Sequence, residues 1–178
     1  MRRFITLVTI AALGAAVVTQ WQRVKELGRQ VLSRGTTEEM SVSAEENKAL
    51  ARRSWEAVDN PDLIDEVYAS DVVWHEPDGE EIHGTEEAKQ FVSTYKTAFP
   101  DMTITVEDVV AEGDKVVTRV TLRGTHQGET EQFGPPTGRQ VEGTGITISR
   151  IEGGKIVEDW DSYDNLSLLQ QLGLAPQQ

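Results

Sequence analysis

A chain of 178 residues is long enough for one domain with a sizeable core and too short for two comfortable ones. A formal net charge of −13 argues against nucleic acid as a partner, and the absence of cysteine excludes disulfides, thiol nucleophiles and cysteine-ligated metals. The charge is uneven: residues 1–39 carry six Lys/Arg against three Asp/Glu, leaving eleven against twenty-seven in residues 40–178.

Residues 1–39 read as a leader ahead of a domain over 40–178. Arg2 and Arg3 precede a run from Phe4 to Val18 without charge, fifteen residues long and shorter than the roughly 20 a spanning helix needs. It has the character of a signal peptide or membrane anchor. Trp21, Val24, Leu27, Val31 and Leu32 then recur at helical spacing, the pattern of a helix lying on a surface. A third reading takes Met40-Ser-Val-Ser-Ala-Glu-Glu as the true start of the protein. The domain is then cytoplasmic, and membrane contact comes only through residues 1–39 if they are retained; a signal or anchor leaves the alternative open.

From Ser43 the pattern becomes regular. Ser43 and Glu46 form a capping box, and Asn47, Leu50, Ala51, Ser54 and Val58 share one face of a helix ending at Asn60-Pro61. A short helix from Asp62 to Tyr68 leads into a strand, Val72 to Glu76, stopped by Pro77-Asp78-Gly79. Thr85 is placed to cap the main packing helix, whose Ala88, Phe91, Val92, Tyr95, Ala98 and Phe99 form an apolar stripe before Pro100. Beyond Pro100 the period changes from 3.6 to 2. Strands are expected over Thr103 to Ala111, Lys115 to Thr125, Gly145 to Ile151 and Lys155 to Asp164, with Glu152-Gly153-Gly154 turning the last hairpin. Leu166 to Leu172 give a short C-terminal helix. Helices first and a meander second define an α+β fold, with a curved, mostly antiparallel sheet over three helices.

Alternation along the last strand puts Val157, Asp159, Asp161 and Tyr163 on one face and Ile156, Glu158, Trp160 and Ser162 on the other. Like charges two residues apart in a poorly hydrated pocket raise a carboxyl pKa, which makes Asp161 the first candidate for acid/base chemistry. An acidic, solvated strand end is the plainer alternative. His75, His83 and His126 have no metal-ligand spacing, so no metal is expected. His126 is in phase with apolar positions and is either a pocket or a core residue, His75 after Trp74 suits a pocket rim, and His83 suits a turn. There is no nucleophile elbow and no phosphate loop.

Four segments carry a resemblance: Val-Val-Trp-His-Glu-Pro at 72–77, Ile-His-Gly at 82–84, Phe-Gly-Pro-Pro-Thr-Gly-Arg at 133–139, and Ile-Glu-Gly-Gly-Lys-Ile-Val-Glu-Asp-Trp-Asp with a further Asp at 151–164. In order and spacing the chain from about Glu45 to Gly173 resembles the SnoaL-like polyketide (ester) cyclases of the nuclear-transport-factor-2-like superfamily. The resemblance implies a cone-shaped barrel, a deep apolar pocket, a homodimer or homotetramer, and no cofactor. In the characterised cyclases an aspartate on the last strand is the general acid/base of an intramolecular aldol closure, and Asp161 matches it. Their assisting His and Gln are matched here by Thr147 and Gly145. The substrate implied is a small apolar ketone or ester, and Trp74, His75, Tyr95, His126, Thr147 and Asp159 are the residues expected to bind it. Two classes remain: a ring-closing or isomerising enzyme, or a hydrolase on the same cone, and a non-catalytic small-ligand-binding domain.

Overall fold

The computed structural model describes residues 43–176 together with Lys25. The chain divides into two compact units, Met1–Ser43 and Ala44–Gln178. The leader expected over 1–39 lies, Lys25 apart, outside the described residues. Among the described residues no helix is long and apolar enough to cross a membrane.

Helix α1, residues 43–54, passes into a 3₁₀ turn, Trp55–Val58. Helix α2, Leu63–Val67, buries Leu63, Ile64 and Val67. It ends one residue earlier than the pattern suggests, because Tyr68 already has extended backbone and starts strand β1, Tyr68–His75. Strand β2 is Glu81–His83 and helix α3 is Gly84–Ala98. Thr85 does not cap α3: the helix begins before it, and the Glu87 carboxylate accepts the His83 backbone N–H at 2.9 Å. The contact satisfies the backbone donor that a capping box would satisfy, from one position further along the helix.

Strands β3, Thr103–Glu112, β4, Lys115–Thr125, β5, Gln140–Glu152, and β6, Lys155–Tyr163, form the meander, and helix α4, Asn165–Leu172, closes the chain. The sheet is curved and unclosed, in the order β2-β1-β6-β5-β4-β3. Every pair is antiparallel except β1 with β6, which is parallel. The β5–β6 turn has Gly153 and Gly154 at φ 58° and 78°, the two positive values a tight hairpin turn demands.

Near that turn the register slips: Ile151 faces Ile156, but Arg150 faces Glu158, so Val157 is an extra residue. Such a bulge reverses the phase of alternation. It puts Ile156, fully buried, into the core on the same face as Asp159, and corrects the expectation that Ile156 shares a side with Glu158.

The core has two parts. One gathers Ile64, Val67, Val72, Trp74, Val116 and Ile156 beneath α2 and α3. The other, around Phe99, Met102, Phe133 and Leu172, is capped by α4. Helix α4 is held by its own ends and by the sheet. Asp164 accepts the Ser167 N–H at 2.9 Å, and the Gln171 amide exchanges two hydrogen bonds, each 2.9 Å, with the Glu142 backbone on β5.

Candidate functional site

Between the inner face of the sheet and helices α1, α3 and α4 lies a cavity of about 150 Å³. Its wall is mostly apolar and aromatic, including Phe91, Tyr95, Phe99, Met102, Leu122 and Leu168. One side differs: Trp74 and Glu76 at the end of β1, and Asp159, Asp161 and Tyr163 on β6, all line it. The alternation that puts Asp159, Asp161 and Tyr163 together is the one expected from sequence.

Asp161 is held by hydroxyls. Tyr163 donates to its Oδ1 at 2.9 Å, and Thr147, directly opposite on β5, donates to the same oxygen. Burial raises the Asp161 carboxyl above its ordinary value, and both hydroxyls act against that by favouring the charged form. Asp159, two residues away and only 3% exposed, is buried more deeply. Burial first, and the charge of Asp161 second, push it up to about 8; the hydroxyls of Ser149 and Tyr68 offset part of this. Asp161 is therefore the member of the pair that ionises first, while Asp159 keeps its proton at neutrality. Nearby, burial and then the carboxylate of Asp161 push Glu76 up to about 8 as well. Burial also raises Tyr95, to about 12, and Tyr163, well above the ordinary phenol value.

Among the described residues two polar atoms beside this cluster have no partner, the indole Nε1 of Trp74 and the Oδ1 of Asp159. They sit on residues that face each other across β1 and β6. An unpaired donor and an unpaired acceptor enclosed in an apolar cavity are costly unless a ligand or solvent completes them.

Tyr163 reaches Asp161 because of Gly145. The ring lies against the bare α-carbon of Gly145, its register partner: a Cβ added there would come within 2.2 Å of Cδ1 and 2.3 Å of Cε1. Two hydroxyls thus reach Asp161, one from Thr147 and one from the tyrosine that Gly145 admits.

The histidines lie elsewhere, which corrects two expectations. His75 is adjacent to Trp74 in a strand that continues through it, so it must point to the opposite face. There it stacks on Trp160 at 5.5 Å and pairs with Glu81 at 3.1 Å and Glu158 at 3.0 Å. His126 lies just past β4, completely buried between Phe99 and Phe133 and away from the cavity lining. Its Nδ1 accepts the Thr137 N–H at 3.3 Å, so it serves the core and the 126–139 loop. Trp74, Tyr95, Thr147 and Asp159 do line the cavity with Asp161. Glu76 and Tyr163 join them although neither was singled out. Glu76 falls one position beyond the strand end, and Tyr163 was visible only as a face-sharing neighbour of Asp161. Among the described residues no group of His, Asp or Glu is arranged to hold a metal ion.

The protonated state of Asp159 has a consequence for stability. Between its ordinary value of 3.8 and about 8, the folded protein holds a proton that the unfolded chain has released. Folding takes up that proton, so stability is unaffected below the window and falls as pH rises through it, by at most about 1.4 kcal/mol per pH unit. Urea unfolding measured from pH 5 to 8 should show this decline. Asp159→Asn should make it shallower by its own share, whereas the shares of Glu76, also raised to about 8, and of the chain's general acidity would persist in the variant.

A curved open sheet wrapped over helices around an apolar, acid-lined cavity defines a domain of the nuclear-transport-factor-2-like class. The chain belongs to the SnoaL-like polyketide cyclase family, whose family model matches residues 48–172. IdmH of Streptomyces antibioticus, a candidate polyketide cyclase, is 35% identical with a TM-score of 0.61, over 71% of this chain and 98% of that one. AclR of Streptomyces galilaeus, a candidate hydroxylase, is 30% identical with a TM-score of 0.67, over 76% and 85%. A candidate SnoaL-like polyketide cyclase from Jannaschia sp. CCS1 shares the fold at a TM-score of 0.68 with 23% identity, over 75% and 95%. Comparison with curated proteins gives no match.

Proposed function

We propose that this chain is an acid/base ring-closing enzyme acting without a cofactor on a small apolar keto-ester-like substrate, with Asp161 as its general base and acid. The observation that carries this reading is a carboxylate enclosed in an apolar cavity and held by two hydroxyl donors on one oxygen. Such a group stays charged enough to take a proton and is dry enough to act as a stronger base than a solvated aspartate. A carbon flanked by a ketone and an ester is acidic enough to lose a proton to it. The apolar walls fold the chain of such a substrate and keep water from its enolate. The family's cyclase name and the similarity to IdmH favour ring closure over the other reactions the cone supports.

The test is a panel of β-keto esters that each carry a second ketone within ring-closing reach, followed by chromatography and by ligand-detected binding. Saturable, enzyme-dependent formation of a ring supports the reading. Tight binding of the panel without conversion at any pH between 5 and 9 supports the non-catalytic ligand-binding alternative instead.

A further inference from the structure

The parallel pairing of β1 with β6 sets Trp74 opposite Asp159 and His75 opposite Trp160, so Glu76, the first residue past the end of β1, continues that register to lie beside Asp161. Alternation turns both side chains to the same inner face, and both line the cavity. Neighbouring strands are about 4.8 Å apart, which leaves two carboxyl groups side by side at one end of an apolar chamber. Among the described residues no hydrogen bond holds the Glu76 carboxyl. Its backbone is fixed by the turn that follows, with Glu76 N–H donating to Glu80 at 2.9 Å and Gly79 N–H to Glu76 at 3.0 Å.

Ring closure by an aldol addition moves two protons. One leaves the carbon acid, and one must reach the ketone oxygen as it becomes an alkoxide. A single aspartate has to do these in sequence, and the alkoxide waits in an apolar cavity that stabilises it poorly. We infer that Glu76 is a second catalytic residue of the ring-closing reaction, the acid that protonates the nascent alkoxide while Asp161 takes the carbon-bound proton; this rests on the reading of Asp161 above. The step balances as follows. The Asp161 carboxylate breaks a C–H bond, and that electron pair forms the new C–C bond to the ketone carbon. The C=O π pair passes to oxygen, which takes the proton of Glu76. Proton transfer from Asp161 to Glu76 then restores the starting state, and the product is an isomer of the substrate.

The charge distribution prepares these roles. The groups facing Glu76 are Asp78 and Glu80 of its own turn, Asp159, Asp161 and Tyr163 of β6, and Tyr95 of α3, every one acidic. Burial and this company hold Glu76 protonated up to about pH 8, while Thr147 and Tyr163 favour the charge on Asp161. The unpaired Trp74 N–H and Asp159 carboxyl oxygen, each on a residue more than nine-tenths buried in the same wall, mark this end of the cavity as the place where polar atoms of a ligand are expected.

The two steps are separable in D₂O. Exchange of the carbon acid of ethyl acetoacetate reports proton abstraction alone. Closure of a β-keto ester carrying a second ketone reports abstraction and alkoxide protonation together. Glu76→Gln preserves the shape of the side chain and removes its proton. It should slow closure about 10²-fold, the lower end for loss of a general acid, while exchange falls by far less. The high-pH limb of the closure profile, set near pH 8 by Glu76, should disappear with it. Closure unchanged by Glu76→Gln, or closure and exchange falling by one common factor with the high-pH limb intact, overturns the role of Glu76. Closure and exchange both surviving Asp161→Asn would show instead that the reading of Asp161 has failed, and this inference with it. Thermal unfolding of the Gln variant separates a catalytic loss from a folding loss. Direct titration of the Glu76 carboxyl in the folded wild-type protein gives an independent check: a midpoint near its ordinary value of 4.5 also overturns the assignment.

Discussion

Replacing Asp161 by Asn should lower ring closure by about 10²–10⁴-fold, a loss of roughly 3–5.5 kcal/mol in transition-state stabilisation, while ligand affinity stays within a few-fold. Asparagine fills the same space and still accepts from Thr147 and Tyr163 at its amide oxygen, so the cavity wall keeps its form. What disappears is the proton shuttle. The variant should fold at least as stably as the wild type near neutral pH, because it removes a charge buried in an enclosed apolar cavity. The Asp159 carboxyl, freed of the Asp161 charge that helps to raise it, should titrate lower. Steady-state kinetics and urea unfolding on the same preparation decide between these outcomes. A variant that turns over as fast as the wild type removes Asp161 from the chemistry.

The largest structural effect is expected from one methyl group. In Gly145→Ala the new Cβ would approach Tyr163 to 2.2 Å, well inside any real contact, so the ring must leave its place. Overpacking of this kind costs about 1–3 kcal/mol, which a domain of this size shows as a fall of several degrees in unfolding midpoint. Displacement of the ring also takes the Tyr163 hydroxyl off Asp161. The carboxyl then has one donor instead of two, its charged form is less favoured, and the low-pH limb of activity should move up. Tyr163→Phe separates the two causes, since it keeps the ring against Gly145 and removes only the hydroxyl. It should shift the low-pH limb as Gly145→Ala does, with little of the loss in stability. An Ala variant that melts with the wild type would mean that Gly145 does not hold the ring in place.

Much of the fold could be read in advance, because the change of hydrophobic period at Pro100 separates helices from strands and the Gly153-Gly154 turn is nearly unambiguous. Inward-facing Asp159, Asp161 and Tyr163 were legible for the same reason, a strand period of 2. The misplacements have physical causes. His75 was assigned to a pocket rim as though the strand stopped before it, but pairing with Trp160 carries alternation through it and turns it outward. Ile156 was assigned to the wrong face because a bulge at Val157 reverses the phase, and nothing in the local sequence marks that bulge. His126 is in phase with the core and is a core residue; the choice between core and pocket depended on Phe99 and Phe133, which come from distant segments. Glu76 is illegible as part of the site, and Gly145 is legible only as the match to an assisting residue, not as the seat of the Tyr163 ring. One requires the parallel register of β1 against β6, and the other requires the path of an aromatic ring two strand positions from Asp161.

The claim on which these expectations turn is that Asp161 is an enclosed carboxyl of the pocket whose charged form its two hydroxyl donors favour. Carbon-13 NMR titration of side-chain carboxyls, assigned through Asp161→Asn, Asp159→Asn and Glu76→Gln, measures this directly. Asp161 should titrate above its ordinary value of 3.8 and below Asp159 and Glu76, which should ionise near 8. Its midpoint should rise further in Tyr163→Phe. An Asp161 carboxyl that titrates at its ordinary value, and is indifferent to loss of the Tyr163 hydroxyl, would be a solvated surface acid and would contradict the account.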